Sequence, residues 1–176
     1  MSLANHLQLA VNLLIWSIGF YFSHLLLIAI SIIPSAIRMS QMLNKRYLTS
    51  HALDAIAGLS RVVLVFAIIG VGAQVSSEAL FSGQALAVLL YSSFIFATEH
   101  WGEILVQSVF FGLVFGLLNL LITFAIKRVV ASRHVERLAS AGRDISALGE
   151  AVRFVIKNAI VIPISLAYLL RMLRVI

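Results

Sequence analysis

Long apolar stretches, separated by short polar segments, run along most of this chain. Residues 9–33 contain no Asp, Glu, Lys or Arg, and residues 104–126 form a second such stretch. A helix needs about 20 apolar residues to cross the hydrocarbon core of a bilayer. We therefore predict full membrane spans at 9–33 and 104–126, with Pro34 ending the first helix and Lys127 anchoring the second.

Two further apolar stretches are interrupted or short. The run that begins at Ala55 reaches span length only if it includes Arg61, so the predicted span covers residues 55–74. An arginine near the membrane boundary can extend its charged end to the headgroups, and the alternative is an ion pair between Arg61 and Asp54. Residues 85–97 are apolar but too few to cross, which favours an interfacial or re-entrant helix on the outer side.

The charged residues are distributed unevenly. Residues 62–126 contain three acids and no Lys or Arg, whereas the rest of the chain contains 13 basic residues and four acids. Lys and Arg concentrate on the cytoplasmic side of membrane proteins, so both ends of this segment should face the cytoplasm, with two spans between them. We therefore expect a bacterial cytoplasmic membrane protein with its N-terminus outside and its basic loops in the cytoplasm.

The C-terminal third has a different pattern. Apolar residues in 127–158 recur at alternating steps of three and four, and the charged side chains lie off this seam. Such a pattern predicts a basic amphipathic helix on the cytoplasmic membrane surface. Residues 159–176 form an apolar tail that contains Pro163, which should kink it, and the sequence leaves open whether this tail crosses the membrane.

The composition excludes several classes of protein. It is 61% hydrophobic and 11% charged, with a mean hydropathy of +1.05, which does not fit a soluble domain. The absence of cysteine excludes disulfides, Cys-ligated zinc, iron–sulfur clusters and a thiol nucleophile. Basic loops facing anionic lipid headgroups explain the net charge of +6, so we expect the bilayer, and not nucleic acid, as a partner. No nucleotide-binding or hydrolase motif indicates an enzyme, and no cofactor is expected.

Polar residues next to or inside the predicted spans are the candidate sites. Glu99, His100 and Glu103 are candidate metal ligands, because on one helix they would share a face. Di-metal helical sites need two carboxylate–histidine sets, and only one is present. An alternative interpretation needs no metal: acidic residues are favoured at the start of a helix, and Trp101 would be an interfacial anchor.

Within the spans, a few polar and small residues stand out. A neutral His24 must find a hydrogen bond in the membrane, and Asn119 lies at a comparable depth, so we predict a His24–Asn119 contact. Gly112 and Gly116 have the spacing that lets two membrane helices approach closely. Asn119 and Thr123 follow one turn apart and could hydrogen-bond across the same helix interface.

The sequence therefore predicts an all-α, polytopic helical integral membrane protein of one domain. It should have three full spans, one short outer helix, a basic amphipathic C-terminal helix and an apolar tail. We expect a non-enzymatic accessory, assembly or regulatory subunit that acts through helix packing, in a homo-oligomer or a larger membrane complex. One alternative is a small oligomeric transporter or channel lined by His24, Asn119, Thr123 and the outer acids. Another is a metal-dependent membrane enzyme at the Glu99–Glu103 cluster.

Overall fold

The computed structural model describes residues 3–43, 51–130 and 145–176. These ranges are helical, with short turns and no strand. The helices are α1 Leu3–Ser23, α2 Leu25–Leu43, α3 His51–Gly72, α4 Ser77–Phe81, α5 Gln84–Glu99, α6 Trp101–Val130, α7 Ile145–Ile156 and α8 Ile162–Met172, with a π-helical turn at Lys157–Val161 joining the last two.

Four helices are long and apolar enough to cross a membrane. They are Leu25–Leu43, His51–Gly72, Trp101–Val129 and Leu148–Met172. The prediction of an all-α polytopic membrane protein is confirmed, although the sequence predicts three full spans and assigns the last of these helices partly to an amphipathic helix and partly to a tail. In the structure this helix continues through the π turn and Pro163. Residues 131–144 of the predicted amphipathic helix lie outside the described ranges.

The predicted span 9–33 is also placed differently. The helix is interrupted at His24, and α2 then continues through Pro34 to Leu43 instead of ending at the proline. Proline removes one backbone donor, but membrane helices tolerate it when neighbouring groups take up the freed carbonyl. Pro34 is fully buried inside the bundle, so packing against other helices maintains the helix past this residue.

The first and last helical segments run antiparallel along each other. The α1 helix packs on α8, whereas α2 packs on α7 and the π turn, so the order of contacts is reversed. The α3 helix forms an antiparallel hairpin with α2, and α6 packs against α1 and α7. One end of the bundle, the α5 end, therefore holds the beginning of α6 and the ends of α3 and α8. The opposite end of the bundle holds Arg38 and Asp54, and we call it the Arg38 end.

The α2–α3 hairpin is closed at the Arg38 end by a polar cluster. The Arg38 guanidinium donates to Asp54 Oδ1 at 2.9 Å and to Gln41 Oε1 at 2.9 Å. Gln41, which is buried, donates from Nε2 to the same Asp54 oxygen at 3.1 Å. Asp54 thus pairs with Arg38 and not with Arg61, which corrects the alternative drawn from the sequence. Because the oxygen and the nitrogen of the buried Gln41 amide are both hydrogen-bonded, they stabilise one register of the α2–α3 hairpin.

The π turn follows directly from Pro163. In an α-helix the carbonyl of Ala159 would accept from the N–H of residue 163, and proline has none. Tyr21 donates its hydroxyl to that carbonyl, and Ser31 Oγ lies 3.2 Å from the same oxygen and 2.7 Å from the Tyr21 hydroxyl. Tyr21 and Ser31 are both fully buried, so α1, α2 and the π turn meet at one polar point inside an apolar core.

The end of α3 gives a stability prediction with an internal control. A Cβ added to Gly72 would lie 2.7 Å from Ile176 Cβ, whereas one added to Gly58 on the same helix meets nothing within 4 Å. Gly72→Ala should lower the free energy of unfolding by about 1–3 kcal/mol through overpacking. Gly58→Ala should raise it by up to about 1 kcal/mol through helix propensity. Equilibrium unfolding in mixed micelles measures both, and equal effects of the two substitutions would contradict this packing.

Candidate functional site

Of the four apolar helices of span length in the described ranges, α6 is the least buried. Only 6% of its most apolar stretch is buried, against 28% to 33% for the other three spans. It presents leucines and other large apolar side chains to the surroundings of the bundle: Leu105, Val109, Leu113, Leu117, Leu120, Leu121 and Phe124. The helix contacts the rest of the protein mainly along its other side, through residues such as Gln107 and Phe115.

Gly112 and Gly116 lie at the edge of this face. Both are exposed, and a Cβ built on either glycine would meet nothing within 4 Å. Within the described residues, no contact therefore requires glycine at these positions, in contrast to Gly72. The two residues lie one turn apart and form a shallow strip of exposed backbone, here called the glycine strip.

Asn119 and Thr123 bond within their own helix. Asn119 Nδ2 donates to the Phe115 carbonyl at 2.9 Å, and Thr123 Oγ1 donates to the Asn119 carbonyl at 2.8 Å. Asn119 Oδ1 is shielded from the surroundings and has no hydrogen-bond partner within the described ranges. Among the described helices, the predicted hydrogen bonds of these two side chains across a helix interface are therefore not formed.

His24 occupies the break between α1 and α2. Its Nδ1 lies 2.6 Å from the Phe20 carbonyl oxygen, and its ring packs 4.7 Å from the Phe20 ring, centroid to centroid. The predicted His24–Asn119 contact is wrong, because both side chains find acceptors one turn back on their own helices. Local bonds of this kind satisfy a polar side chain at depth without any partner helix.

Arg61, Glu99 and Glu103 also differ from the sequence expectation. Arg61 is exposed and donates to Asn158 Oδ1 at 2.8 Å, which links α3 to the π turn. Glu99 ends α5 and Glu103 lies in the first turn of α6, with the helix interrupted at His100 between them. Because these residues are not on one helix, the shared face assumed for metal ligation does not exist. No group of three potential ligands occurs in the ranges that the structure describes.

One feature of the α5 end could not be located from the sequence. A cavity of about 490 Å³ lies among α1, α5, α6 and the end of α8, and it is here called the arginine cavity. Its polar lining is Glu103, Gln107, Arg171 and Arg174, and its apolar lining includes Leu9, Leu13 and Ile104. The sequence places two arginines at the end of an apolar tail, but no local pattern indicates which distant helices surround them.

Gln107 connects the three helices around this cavity. It is buried, its Nε2 donates to the His6 carbonyl at 3.1 Å, and its Oε1 accepts from the Tyr168 hydroxyl at 3.3 Å. Tyr168 in turn packs against Phe111 and Phe115 of α6. Since both ends of the Gln107 amide are bonded, it is a structural group that sets the spacing of α1, α6 and α8.

Comparisons of the chain with protein-family models, curated proteins and solved structures found no match.

Proposed function

We propose that this protein is a non-enzymatic integral membrane subunit that acts through helix packing, and that its partner at the exposed face of α6 is a second copy of the same chain. The observation that carries the proposal is the glycine strip on a spanning helix that is almost wholly exposed. Apolar exposure by itself is ordinary for a helix in lipid. Exposed glycines at Gly112 and Gly116 are more specific, because they allow another backbone to approach closely.

A second copy fits this surface better than an unlike partner does. No Asp, Glu, Lys or Arg occurs between residues 104 and 126, so the face offers no charge that would select a different protein. Two identical glycine strips related by a two-fold axis are complementary to each other, because each backbone enters the space that the other leaves open. Van der Waals packing of this kind is the main source of affinity between helices in lipid.

The two alternative functions have less support. A transport path would bring His24, Asn119 and Thr123 together. Instead, each side chain forms a hydrogen bond with the carbonyl four residues before it on the chain. A metal-dependent reaction would need further ligands beside Glu99, His100 and Glu103. His100 Nδ1 instead lies 3.2 Å from the Phe96 carbonyl, and its ring stacks on Phe96.

The direct experiment is native mass spectrometry of the protein released from lipid nanodiscs. The proposal predicts a homodimer as the main species. A monomer at micromolar concentration, or a stoichiometric complex with a larger unlike protein, would contradict the second copy as the partner.

We further propose that the Arg38 end faces the cytoplasm of a bacterial cell and the α5 end faces outward. Arg38, Lys127 and Arg128 support this orientation, since basic residues near span ends remain inside. A cysteine at Ser77 should react with a membrane-impermeant maleimide in intact cells, and one at Ser40 should react only after lysis. Both serines are exposed, so accessibility within the fold does not bias the comparison. The reverse labelling pattern would invert the topology.

A further inference from the structure

Two arginines in the arginine cavity are held by aromatic rings and not by acids. The Arg171 guanidinium carbon lies 4.7 Å from the Trp16 ring centroid, and that of Arg174 lies 4.2 Å from the Phe96 ring centroid. A guanidinium stacked by its face keeps its in-plane N–H groups free to donate. Arg171 uses one of them on the Ile176 carbonyl at 3.0 Å. The ion pairs found in the described residues, Arg38–Asp54 and Arg153–Glu150, leave both cavity arginines out.

Arg174 occupies an unusual backbone position. Its φ of +54° is left-handed, at the point where the chain leaves α8. The Val175 N–H donates to the Leu170 carbonyl at 2.9 Å and the Arg174 N–H to the Arg171 carbonyl at 3.1 Å, which closes the helix end. Glycine is the residue favoured at such a position, because it has no Cβ to strain. An arginine there directs its side chain to Phe96 at the cost of that strain.

The cavity joins this positive group to an apolar floor. Glu103 offsets one of the two positive charges, so the charged side chains of the lining sum to +1 when all three are ionised. Leu9, Leu13 and Ile104 continue the cavity along the bundle. Its volume lies within the roughly 300–1,000 Å³ of ordinary small-molecule sites. The ligand that matches this lining has an anionic head and an apolar chain.

The place of the arginine cavity at the end of the apolar helices indicates which kind of molecule supplies this ligand. Trp101, which begins α6 at the same end, is 69% exposed, as an interfacial anchor would be. The arginines lie at the C-terminal end of the apolar helix Leu148–Met172, and the end of a spanning helix reaches the depth of the lipid phosphates. Paired guanidinium groups bind phosphate through several charge-assisted hydrogen bonds at once.

We propose that the arginine cavity binds the phosphate group of an anionic membrane lipid, with Arg171 and Arg174 as the phosphate donors and the apolar floor holding the adjoining part of the acyl chain. Glu103 weakens this binding, since its carboxylate competes with the phosphate for the same cations. This site is independent of the α6 interface, and its test does not depend on the oligomeric state.

The test uses Trp16 as the reporter, in a W101F background that leaves it as the one tryptophan of the chain. The protein is reconstituted in phosphatidylcholine vesicles containing increasing amounts of chain-brominated phosphatidylglycerol or chain-brominated phosphatidylcholine. We expect saturable quenching with about fivefold preference for the anionic lipid, the effect of about one cation beside an anionic headgroup. Inorganic phosphate added to the vesicles should not reverse it. Full reversal by inorganic phosphate would identify free phosphate as the ligand and overturn the lipid assignment.

R174G is the decisive variant, because glycine relieves the left-handed backbone and the protein should unfold at the same or a higher denaturant concentration. It should lose the preference for the anionic lipid, whereas R128Q, which removes an exposed cation at the opposite end of α6, should keep it. E103Q should increase the preference. Equal quenching by both brominated lipids, or an equal loss in R174G and R128Q, would show that the cavity does not select the phosphate.

Discussion

The double substitution Tyr21→Phe, Ser31→Ala is expected to lower the free energy of unfolding by about 1–3 kcal/mol, the cost of a buried polar group left without a partner. Both side chains approach the Ala159 carbonyl, whose α-helical donor is missing at Pro163. In hydrocarbon no water replaces the lost bond, so the penalty should lie near the upper part of that range. Equilibrium unfolding in mixed micelles, followed by circular dichroism, measures the change.

The reason for this loss can be tested by changing the proline. Pro163→Ala restores an N–H at residue 163 that can donate to the Ala159 carbonyl in an ordinary α-helix. In that background the same double substitution should cost less than half as much. Such a coupling between distant residues is what a double-mutant cycle detects. An undiminished cost would show that Tyr21 and Ser31 stabilise the bundle by packing and not through this carbonyl.

The double substitution Tyr91→Phe, Ser92→Ala is the matched control. It also removes one tyrosine hydroxyl and one serine hydroxyl, but from exposed positions on α5, where Ser92 donates to the Leu89 carbonyl of its own helix. The free energy of unfolding should change by less than about 0.5 kcal/mol, as for ordinary surface substitutions. A cost equal to that of the buried pair would mean that the assay does not distinguish buried from exposed polar groups.

The second large effect concerns association. Gly112→Leu, Gly116→Leu should weaken self-association at least about tenfold, or about 1.4 kcal/mol, because two added side chains hold the backbones apart. Both positions are open in the single chain, so the substitution should leave its folding unchanged. The monomer–dimer equilibrium is measured by native mass spectrometry across protein-to-lipid ratios.

Gly19→Leu serves as the control for association. Gly19 on α1 is equally exposed, and a Cβ there also meets nothing within 4 Å, but it lacks a second glycine one turn away. Its substitution adds one leucine side chain to a different helix and should leave the equilibrium unchanged. If Gly19→Leu weakened association and the double substitution on α6 did not, the interface would lie on α1.

The positions of the apolar helices followed from sequence because hydrocarbon thickness imposes a length on every span. Residues 104–126 are inside α6, and the short apolar stretch at 85–97 is inside α5. Helix ends were harder to predict. The sequence predicts that a helix stops at Pro34 and kinks at Pro163, but in a bundle a carbonyl freed by proline can be bonded by a neighbouring helix, as that of Ala159 is.

The pairing of polar side chains was not predictable in the same way. Their similar depth predicts a contact between His24 and Asn119, but each side chain forms a hydrogen bond with a carbonyl one turn back on its own helix. Arg61 and Asn158 are 97 residues apart, and nothing in either segment indicates the other. The arginine cavity has the same origin, since Trp16, Phe96 and Arg174 come from three separate helices. Such sites depend on the packing of the bundle, which a single sequence does not encode locally.

Disulfide cross-linking in native membranes tests the central proposal, association through the glycine strip, most directly. The chain contains no cysteine, so each single introduced cysteine reports one position. G112C and G116C should form covalent dimers under mild oxidation, whereas L117C and L121C, about 120° and 160° around the helix from the middle of the strip, should form few. Equal cross-linking at all four positions, or none at Gly112 and Gly116, would contradict a homodimer packed through this strip.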